Sequence, residues 1–244
     1  SERSATPHQH SVKTADGLEL VLAGDGRVEV LQVDERSLTR AQPSPREGTA
    51  AGGLSVRDLF GEKERSVGGT VVAAERGLRQ SSVLADDGLE VDALYVPNGD
   101  RIDVEIEVRD RLEHDRALDL TFRLPVSLDN WLWCEDITQR RPFEAGKALE
   151  SSIYPWAVVA AADESAGLAL AIPPHRPAQF TFVCDPLSGH VAVRFHLGIS
   201  QVGKIPGRAT VVFSIFQTSG RHAFRDATRR YYAAFPELFR RTAL

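Results

Sequence analysis

The chain has 244 residues, of which 42% are hydrophobic and 26% are charged, and its formal net charge is −5. This is an ordinary globular composition, and the length suits one large β domain of about 200–250 residues. The arginines are scattered among acidic residues, which argues against nucleic acid as a partner, and no stretch reaches the ~18 consecutive apolar residues of a membrane span.

The N-terminal part predicts a hairpin followed by a loop. Two runs of alternating apolar and polar residues in GLELVLAGDGRVEVLQV (17–33) flank Gly24-Asp25-Gly26. An Asp-Gly pair predicts a hairpin turn because glycine adopts the positive φ that such turns need. The following segment, RAQPSPREGTAAGG (40–53), is rich in Pro, Gly and small polar residues, which predicts a loop.

Period-two alternation then recurs along most of the chain. Between 67 and 126, turn signals at Gly77 and Asp87-Gly88 separate strand-like runs, and RIDVEIEVRDR (101–111) alternates strictly. Such alternation is typical of a strand with one buried and one wet face. Further runs follow the tryptophan-rich segment, and together they predict roughly 13–15 short strands at the ~8–12 residue spacing of a sandwich or barrel.

Only the C-terminal end predicts a helix. Phe224, Ala227 and Tyr231 fall at i, i+3 and i+7, on one face of a helix that we expect over 220–240, and Pro236 punctuates it. The predicted fold class is therefore all-β: a large antiparallel β-sandwich with a short C-terminal helix. We expect one domain over residues 1–244.

The segment DNWLWCEDITQRR (129–141) carries two tryptophans with opposite possible roles. Trp131 and Trp133 share one face of a strand, and two adjacent indoles form a flat surface on which sugar rings stack. The alternative is that both fill the sandwich core. Leu132 and Cys134 would then face the other side, which favours a central strand with two covered faces.

Polar residues flank this tryptophan pair: Asp129, Asn130, Glu135 and Asp136. Carboxylates accept hydrogen bonds from sugar hydroxyls, and a carboxyl pair can also act as acid and base in a glycosidase. The competing interpretation is that they are solvated acids at the ends of strands.

Two further segments supply candidate binding residues. Tyr154 and Trp156 in IYPWA share a strand face, with Pro155 suggesting a strand start or an edge; this pair is either a rim contact or loop packing. His175 and Arg176 in PPHRPAQF lie in a stiff loop between prolines, and loops often carry function. An exposed, functionally silent loop is the alternative.

Cofactor motifs are missing from the sequence. There is no CxxC, HxH or HExxH spacing for a metal and no glycine-rich phosphate loop, so we expect neither a metal nor another cofactor. Cys134 and Cys184 are either buried free thiols or a disulfide in an exported protein.

The second half of the chain, over roughly residues 125–242, resembles a known kind of domain. The segments SSIYPWAVVAAADESAGLALAIPPHRPAQFTFVCD, VRFHLGIS and FRDATRRYYAAFPELFRR together resemble a domain of large bacterial proteins predicted to be glycoside hydrolases. In those proteins a galactose-mutarotase-like β-supersandwich precedes a (β/α)-barrel catalytic domain. The resemblance implies a supersandwich fold, a carbohydrate partner, a downstream catalytic domain and export from the cell.

The same resemblance does not transfer catalytic residues. Mutarotases use a histidine and a glutamate on facing strands, and neither aligns onto this chain. The chain contains no methionine, so we expect a fragment or processed form of a longer protein. The predicted function is a non-catalytic domain that supports or extends a polysaccharide-binding cleft. The alternatives are a mutarotase-like or carboxylate-dependent sugar enzyme and a purely structural packing module.

Overall fold

Residues 10–39, 52–61, 63–144 and 146–239 are described by the computed structural model. The predicted loop over 40–53 lies outside these residues except for Gly52 and Gly53. The strands are β1 (His10–Lys13), β2 (Leu18–Leu22), β3 (Val28–Val33), β4 (Arg36–Ser37), β5 (Gly53–Asp58), β6 (Glu64–Ser66), β7 (Thr70–Ala74), β8 (Gly77–Leu84), β9 (Leu89–Asn98), β10 (Arg101–Asp110), β11 (Arg116–Pro125), β12 (Trp131–Cys134), β13 (Arg140–Pro142), β14 (Leu149–Ser151), β15 (Trp156–Ala161), β16 (Gly167–Ala171), β17 (Phe180–Asp185), β18 (His190–Ile199) and β19 (Arg208–Thr218). Helix α1 spans Ala223–Ala234, and short 3-10 turns span Ala85–Asp87 and Pro236–Leu238.

The strands form three antiparallel sheets. A nine-stranded sheet has the order β13-β12-β15-β16-β19-β10-β9-β8-β7, and a six-stranded sheet has the order β14-β17-β18-β11-β5-β6. A smaller sheet has the order β1-β2-β3-β4. The fold class is therefore the large antiparallel sandwich with a C-terminal helix that the sequence predicts.

The described residues contain 19 strands, more than the roughly 13–15 expected from strand spacing. The difference lies mainly in β4, β6, β13 and β14, which have two or three residues each. A strand that short carries no detectable alternation, because a period of two needs several residues to show.

The main core lies between the nine-stranded and the six-stranded sheet. Tyr95, Phe122, Phe195 and Phe213 are fully buried there, and the ring centroids of Phe122 and Phe213 are 5.0 Å apart. Burying one large apolar side chain contributes about 1.5–3 kcal/mol, so this aromatic group joins the two sheets firmly.

One buried polar pair within this core is fully satisfied. The hydroxyl of Tyr95 donates a hydrogen bond to Oε1 of Gln80 at 2.9 Å, and Nε2 of Gln80 donates to the carbonyl of Val67 at 3.0 Å. Buried polar groups are tolerated when each has a partner. These two hydrogen bonds connect β8, β9 and the segment before β7.

The predicted turns at Gly26 and Gly77 are confirmed. Gly26 has φ of +89° between β2 and β3, and Gly77 has φ of +116° between β7 and β8. A Cβ atom at Gly77 would lie 2.0 Å from the carbonyl oxygen of Tyr95. Glycine is therefore required at Gly77 both by its backbone angle and by the closeness of β9.

Helix α1 covers part of the outer face of the nine-stranded sheet. Phe224, Ala227 and Tyr231, the predicted apolar face, are buried against this sheet. The hydroxyl of Tyr231 donates to the carbonyl of Ile172 at 2.8 Å. The helix ends before Pro236, so the predicted helical span of 220–240 is too long at both ends.

Cys134 and Cys184 are buried free thiols, which rules out the disulfide alternative. Cys184 packs between the two large sheets, whereas Cys134 lies in the cluster beneath α1. The nine-stranded sheet thus stands between them. Burial raises the pKa of Cys134 to about 11 and that of Cys184 well above its usual range.

Within the described ranges, no helix combines the length and the apolar character needed to cross a bilayer. Over the same residues, no group of three or more His, Cys, Asp or Glu side chains is arranged to hold a metal ion.

Candidate functional site

A groove crosses the outer face of the nine-stranded sheet beside the end of α1. Its cavity of about 370 Å³ has a floor of outward-facing side chains from β9, β10 and β19. Its walls are Phe235, the loop that contains His175 and Arg176, and Arg76 from the β7–β8 turn. A cavity of this size lies within the range typical of small-molecule sites, roughly 300–1,000 Å³.

The polar floor of the groove follows from the alternation of β10. Ile102 and Val104 point into the sandwich core, so Arg101, Asp103 and Glu105 project from the opposite face, because successive strand residues alternate. These three charged side chains line the groove side by side.

Asp103 is held by three donors. Its carboxylate accepts hydrogen bonds from Nδ2 of Asn98 at 2.8 Å, from Nε of Arg101 at 2.8 Å and from Oγ of Ser214 at 2.6 Å. Asp103 therefore fixes Arg101 in place rather than offering a free base.

Arg101 is held on its other side by an aromatic ring. Its Cζ atom lies 5.4 Å from the centroid of the Phe235 ring, within the range of a cation–π contact. Its side chain is only 16% exposed. Asp103 and Phe235 together orient the guanidinium in the groove.

The loop that carries His175 and Arg176 closes the groove at one side. The amide of Arg176 donates to the carbonyl of Pro173 at 3.1 Å, which closes a turn. Nη2 of Arg176 lies 3.4 Å from Oε2 of Glu105, and the His175 ring lies 5.5 Å from that of Phe235. The structure thus brings these two predicted candidates together, although no hydrogen bond joins His175 to a described carboxylate.

An ion-pair cluster fixes the helix that positions Phe235. The guanidinium of Arg230 lies 2.8 Å from Asp16, 2.8 Å from Asp100 and 3.3 Å from Asp226. Burial opposes ionisation of Asp226. The hydrogen bond from the amide of Ser219, at 2.9 Å, and the neighbouring arginines outweigh burial, so the pKa of Asp226 is lowered. The cluster joins α1 to the β1–β2 and β9–β10 turns.

Trp131 and Trp133 are not a surface platform. They are 9% and 5% exposed and pack in the core between the two large sheets. Cys134, on the opposite face of β12, is covered beneath α1. The core interpretation therefore holds and the platform interpretation is corrected, because both indoles are buried.

None of the acids that flank the tryptophans lines the groove, and Asp136 holds the local turn. Asp129 is exposed, and Glu135 pairs with Arg141 at 3.6 Å. Oδ1 of Asp136 accepts hydrogen bonds from the amides of Thr138 and Gln139 at 2.6 and 2.7 Å. The hydrogen bonds from Thr138 are the main reason that the pKa of Asp136 is lowered. This pattern caps the β12–β13 hairpin and lies away from the groove.

Tyr154 and Trp156 belong to an aromatic cluster beside α1. Their rings are stacked with centroids 5.7 Å apart, and Trp156 also contacts Phe224 and Tyr231. Trp156 is buried, whereas Tyr154 is 39% exposed. Trp156 therefore packs beneath α1, and Tyr154 reaches the surface beside it. Neither residue lines the groove.

One histidine–carboxylate pair lies on the outer face of the other large sheet. Nδ1 of His196 is 2.7 Å from Oδ1 of Asp119, and its Nε2 is 3.0 Å from Oγ1 of Thr181. Both ring nitrogens are occupied, which suits a structural histidine. The pair lies on the opposite side of the sandwich from His175.

A second cavity, of about 410 Å³, lies between β5, β6 and the Ala85–Asp87 turn. Its charged side chains are mostly paired: Arg65 lies 3.3 Å from Asp87, and Asp58 lies 3.1 Å from Arg116. No aromatic ring or histidine is among its described lining residues, so the groove is the better candidate site.

Sequence reasoning missed Arg101, Asp103, Glu105, Arg76 and Phe235 as parts of this site. The period-two alternation of β10 had placed Asp103 and Glu105 on a solvent-facing strand surface. This was the signal in the sequence that could have indicated the site. The loop at His175 and the end of α1 reach the same face only through the tertiary fold.

Comparison with solved structures identifies the fold. The chain is similar to the Slr1438 protein from Synechocystis sp. PCC 6803, with 11% identity and a TM-score of 0.54 over 90% of this chain and 99% of that one. It is also similar to a galactose mutarotase-like protein from Lactobacillus casei, with 10% identity and a TM-score of 0.56 over 86% and 100%. The GH36 α-galactosidase AgaA from Geobacillus stearothermophilus matches with 14% identity and a TM-score of 0.59 over 92% of this chain and 43% of that one.

The fold is the galactose-mutarotase-like β-supersandwich, as the resemblance implied. The chain spans nearly the whole of Slr1438 and of the Lactobacillus casei galactose mutarotase-like protein, and less than half of the α-galactosidase. No family model and no curated protein matches its sequence.

Proposed function

We propose that this chain is a carbohydrate-associated supersandwich domain that binds sugar in the groove and leaves catalysis to another domain. The observation that carries this proposal is the convergence of Arg101, Arg176 and His175 on one cavity whose floor also has half-buried apolar side chains. Those apolar side chains are Leu94, Val96 and Val212. Sugar recognition needs this combination, because hydroxyls require directed hydrogen bonds and the C–H faces of the ring require an apolar surface. The names of the structural neighbours, an α-galactosidase and mutarotase-like proteins, support the same ligand class.

The state of the carboxylates supports a non-catalytic role. Asp103 accepts three hydrogen bonds, and Glu105 pairs with Arg176. A general base must reach the proton that it removes, and these two groups are already engaged. The groove is better suited to binding than to proton transfer.

We further propose that the partner domain is the catalytic domain of a glycoside hydrolase in the same chain. Its contact surface would be the aromatic patch beside α1, defined as Tyr154, Tyr232, Leu238 and Phe239, each 39–49% exposed. The rings of Tyr232 and Phe239 lie 4.5 Å apart. Exposed apolar patches of this kind mark interaction sites. Amides of this patch should exchange hydrogen more slowly in the parent protein than in this chain; equal exchange would contradict the contact.

Calorimetric titration with monosaccharides and oligosaccharides tests sugar binding. We expect saturable binding that His175→Ala weakens roughly tenfold, the equivalent of one or two hydrogen bonds. His114→Ala is the matched control, because His114 is also exposed but lies outside the groove. Absence of binding to any sugar, or equal effects of the two variants, would contradict the proposal and leave a structural packing module.

The alternative, a sugar enzyme in its own right, has one observation in its favour. His196 and Asp119 form a hydrogen-bonded pair with Thr181 beside it, the arrangement in which a carboxylate orients an imidazole for proton transfer. Polarimetry of freshly dissolved galactose distinguishes the two functions. Acceleration of mutarotation that is lost in His196→Ala would establish the enzyme and overturn the non-catalytic proposal.

A further inference from the structure

We infer that the groove selects sugars that carry a negative charge, either a carboxylate or a phosphate. This inference rests on the proposed function, because it specifies the ligand of the same groove. Three guanidinium groups line the cavity, those of Arg76, Arg101 and Arg176, against the two carboxylates of Asp103 and Glu105. A neutral sugar does not require this excess of positive charge, and it occurs in a chain whose net charge is −5.

Arg101 presents an anion-binding edge that is already oriented. Of its guanidinium nitrogens, only Nε donates to Asp103, at 2.8 Å. The Cζ atom of the same guanidinium lies 5.4 Å from the centroid of the Phe235 ring. Its two Nη groups donate to no described residue and remain for a ligand. A planar guanidinium matches the paired oxygens of a carboxylate or phosphate, and a fixed one loses little conformational entropy when it binds.

Arg76 adds a cation that is not neutralised. It lies in the turn between β7 and β8, is exposed, and lines the groove. Its side chain forms no ion pair or hydrogen bond with another residue in the described part of the chain. A charge that protein acids leave unpaired is available to an anionic ligand.

Arg176 can contribute as well, because its present pairing is loose. Nη2 lies 3.4 Å from Glu105, and both side chains are about half exposed, at 51% and 50%. Exposed ion pairs of this kind contribute only about 0–1 kcal/mol. A ligand anion therefore competes for this guanidinium with little cost.

The test is calorimetric titration of the chain with galactose, galacturonate and galactose 6-phosphate at low and high salt. We expect the anionic sugars to bind roughly tenfold or more tightly than galactose, since charge-assisted hydrogen bonds are the stronger ones. The advantage should shrink with added salt. The relative affinities of galacturonate and galactose 6-phosphate then distinguish a carboxylate from a phosphate ligand.

Two variants connect the preference to these arginines. Arg76→Gln should reduce the affinity for the anionic sugars several-fold more than it reduces the affinity for galactose. Arg76 is exposed, so the replacement should leave the far-UV circular dichroism unchanged. Arg101→Lys keeps the charge but removes the planar fork, so it should reduce the anionic preference in a protein whose far-UV circular dichroism is unchanged. Arg109→Gln is the control, because it makes the same change of charge as Arg76→Gln. The side chain of Arg109 is 50% exposed and projects from the same face of β10 as Arg101, but it lies outside the groove.

The outcomes separate the two proposals. Equal affinities for galactose and the anionic sugars, or equal effects of Arg76→Gln and Arg109→Gln, would overturn the anionic preference and leave sugar binding intact. Failure of all three sugars to bind would overturn sugar binding and, with it, the preference.

Discussion

Replacement of Trp133 by alanine tests the assignment of the tryptophan pair to the core. Trp133 is 5% exposed between the two large sheets. An aromatic side chain buries roughly 150–250 Å², which at about 25 cal/mol per Å² corresponds to ~4–6 kcal/mol. Measured Trp→Ala losses are about 3–5 kcal/mol. Because β12 is only one strand from the sheet edge, its surroundings can partly relax, and we expect a loss of about 3 kcal/mol.

The measurement is urea unfolding followed by far-UV circular dichroism, which does not depend on the deleted fluorophore. For a chain of this length the loss corresponds to a decrease in Tm of about 6–12 °C. Phe60→Ala is the control: Phe60 is 87% exposed, and its replacement should change the free energy of unfolding by less than ~0.5 kcal/mol. A loss below ~1 kcal/mol for Trp133→Ala would refute the core assignment and return the indole to the surface as a sugar platform.

Three further predictions concern buried polar groups, acid stability and the thiols. Tyr95→Phe should lower the free energy of unfolding by about 1–3 kcal/mol, because Oε1 of Gln80 loses its buried donor; equal denaturation midpoints for variant and parent would contradict that hydrogen bond. Since the pKa of Asp226 is lowered in the folded state, its contribution to stability is present above the ordinary value of 3.8 and is lost as the pH falls through the folded value. Asp226→Asn should therefore flatten the pH dependence of unfolding below about pH 4, and an unchanged acid profile would count against the ion-pair cluster. Cys134 and Cys184 should not react with Ellman's reagent at pH 8 until the chain is unfolded, because both are buried; rapid labelling of the native protein would show that the packing is wrong.

Local patterns predicted the elements whose two faces differ. On β10 the apolar residues face the core and the charged residues face water, so period-two alternation identified the strand and both of its faces. Gly26 and Gly77 marked turns because their backbone angles are accessible mainly to glycine. The apolar face of α1 was visible because Phe224, Ala227 and Tyr231 repeat with the helical period.

The same reasoning could not assign the two faces of a strand where residues on both faces are buried. Strand β15 is buried along its whole length, and β12 has Trp131 and Trp133 in the main core and Cys134 in the cluster beneath α1. Alternation reports only a difference between two environments, so it could not decide which layer receives Trp131 and Trp133. The packing of the sheets and the helix against one another determines which layer contains these two side chains.

The sequence by itself determined the class of fold, the positions of the main turns and helix, and the charged face of β10, because each depends on neighbours within about ten residues. Only the tertiary structure decided the site. Phe235, the loop at His175 and the floor residue Arg101 come from distant parts of the chain, and they meet because α1 and the 173–176 turn pack over the same strands. Contacts between such distant residues are set by how the sheets and helix stack, which no local pattern encodes.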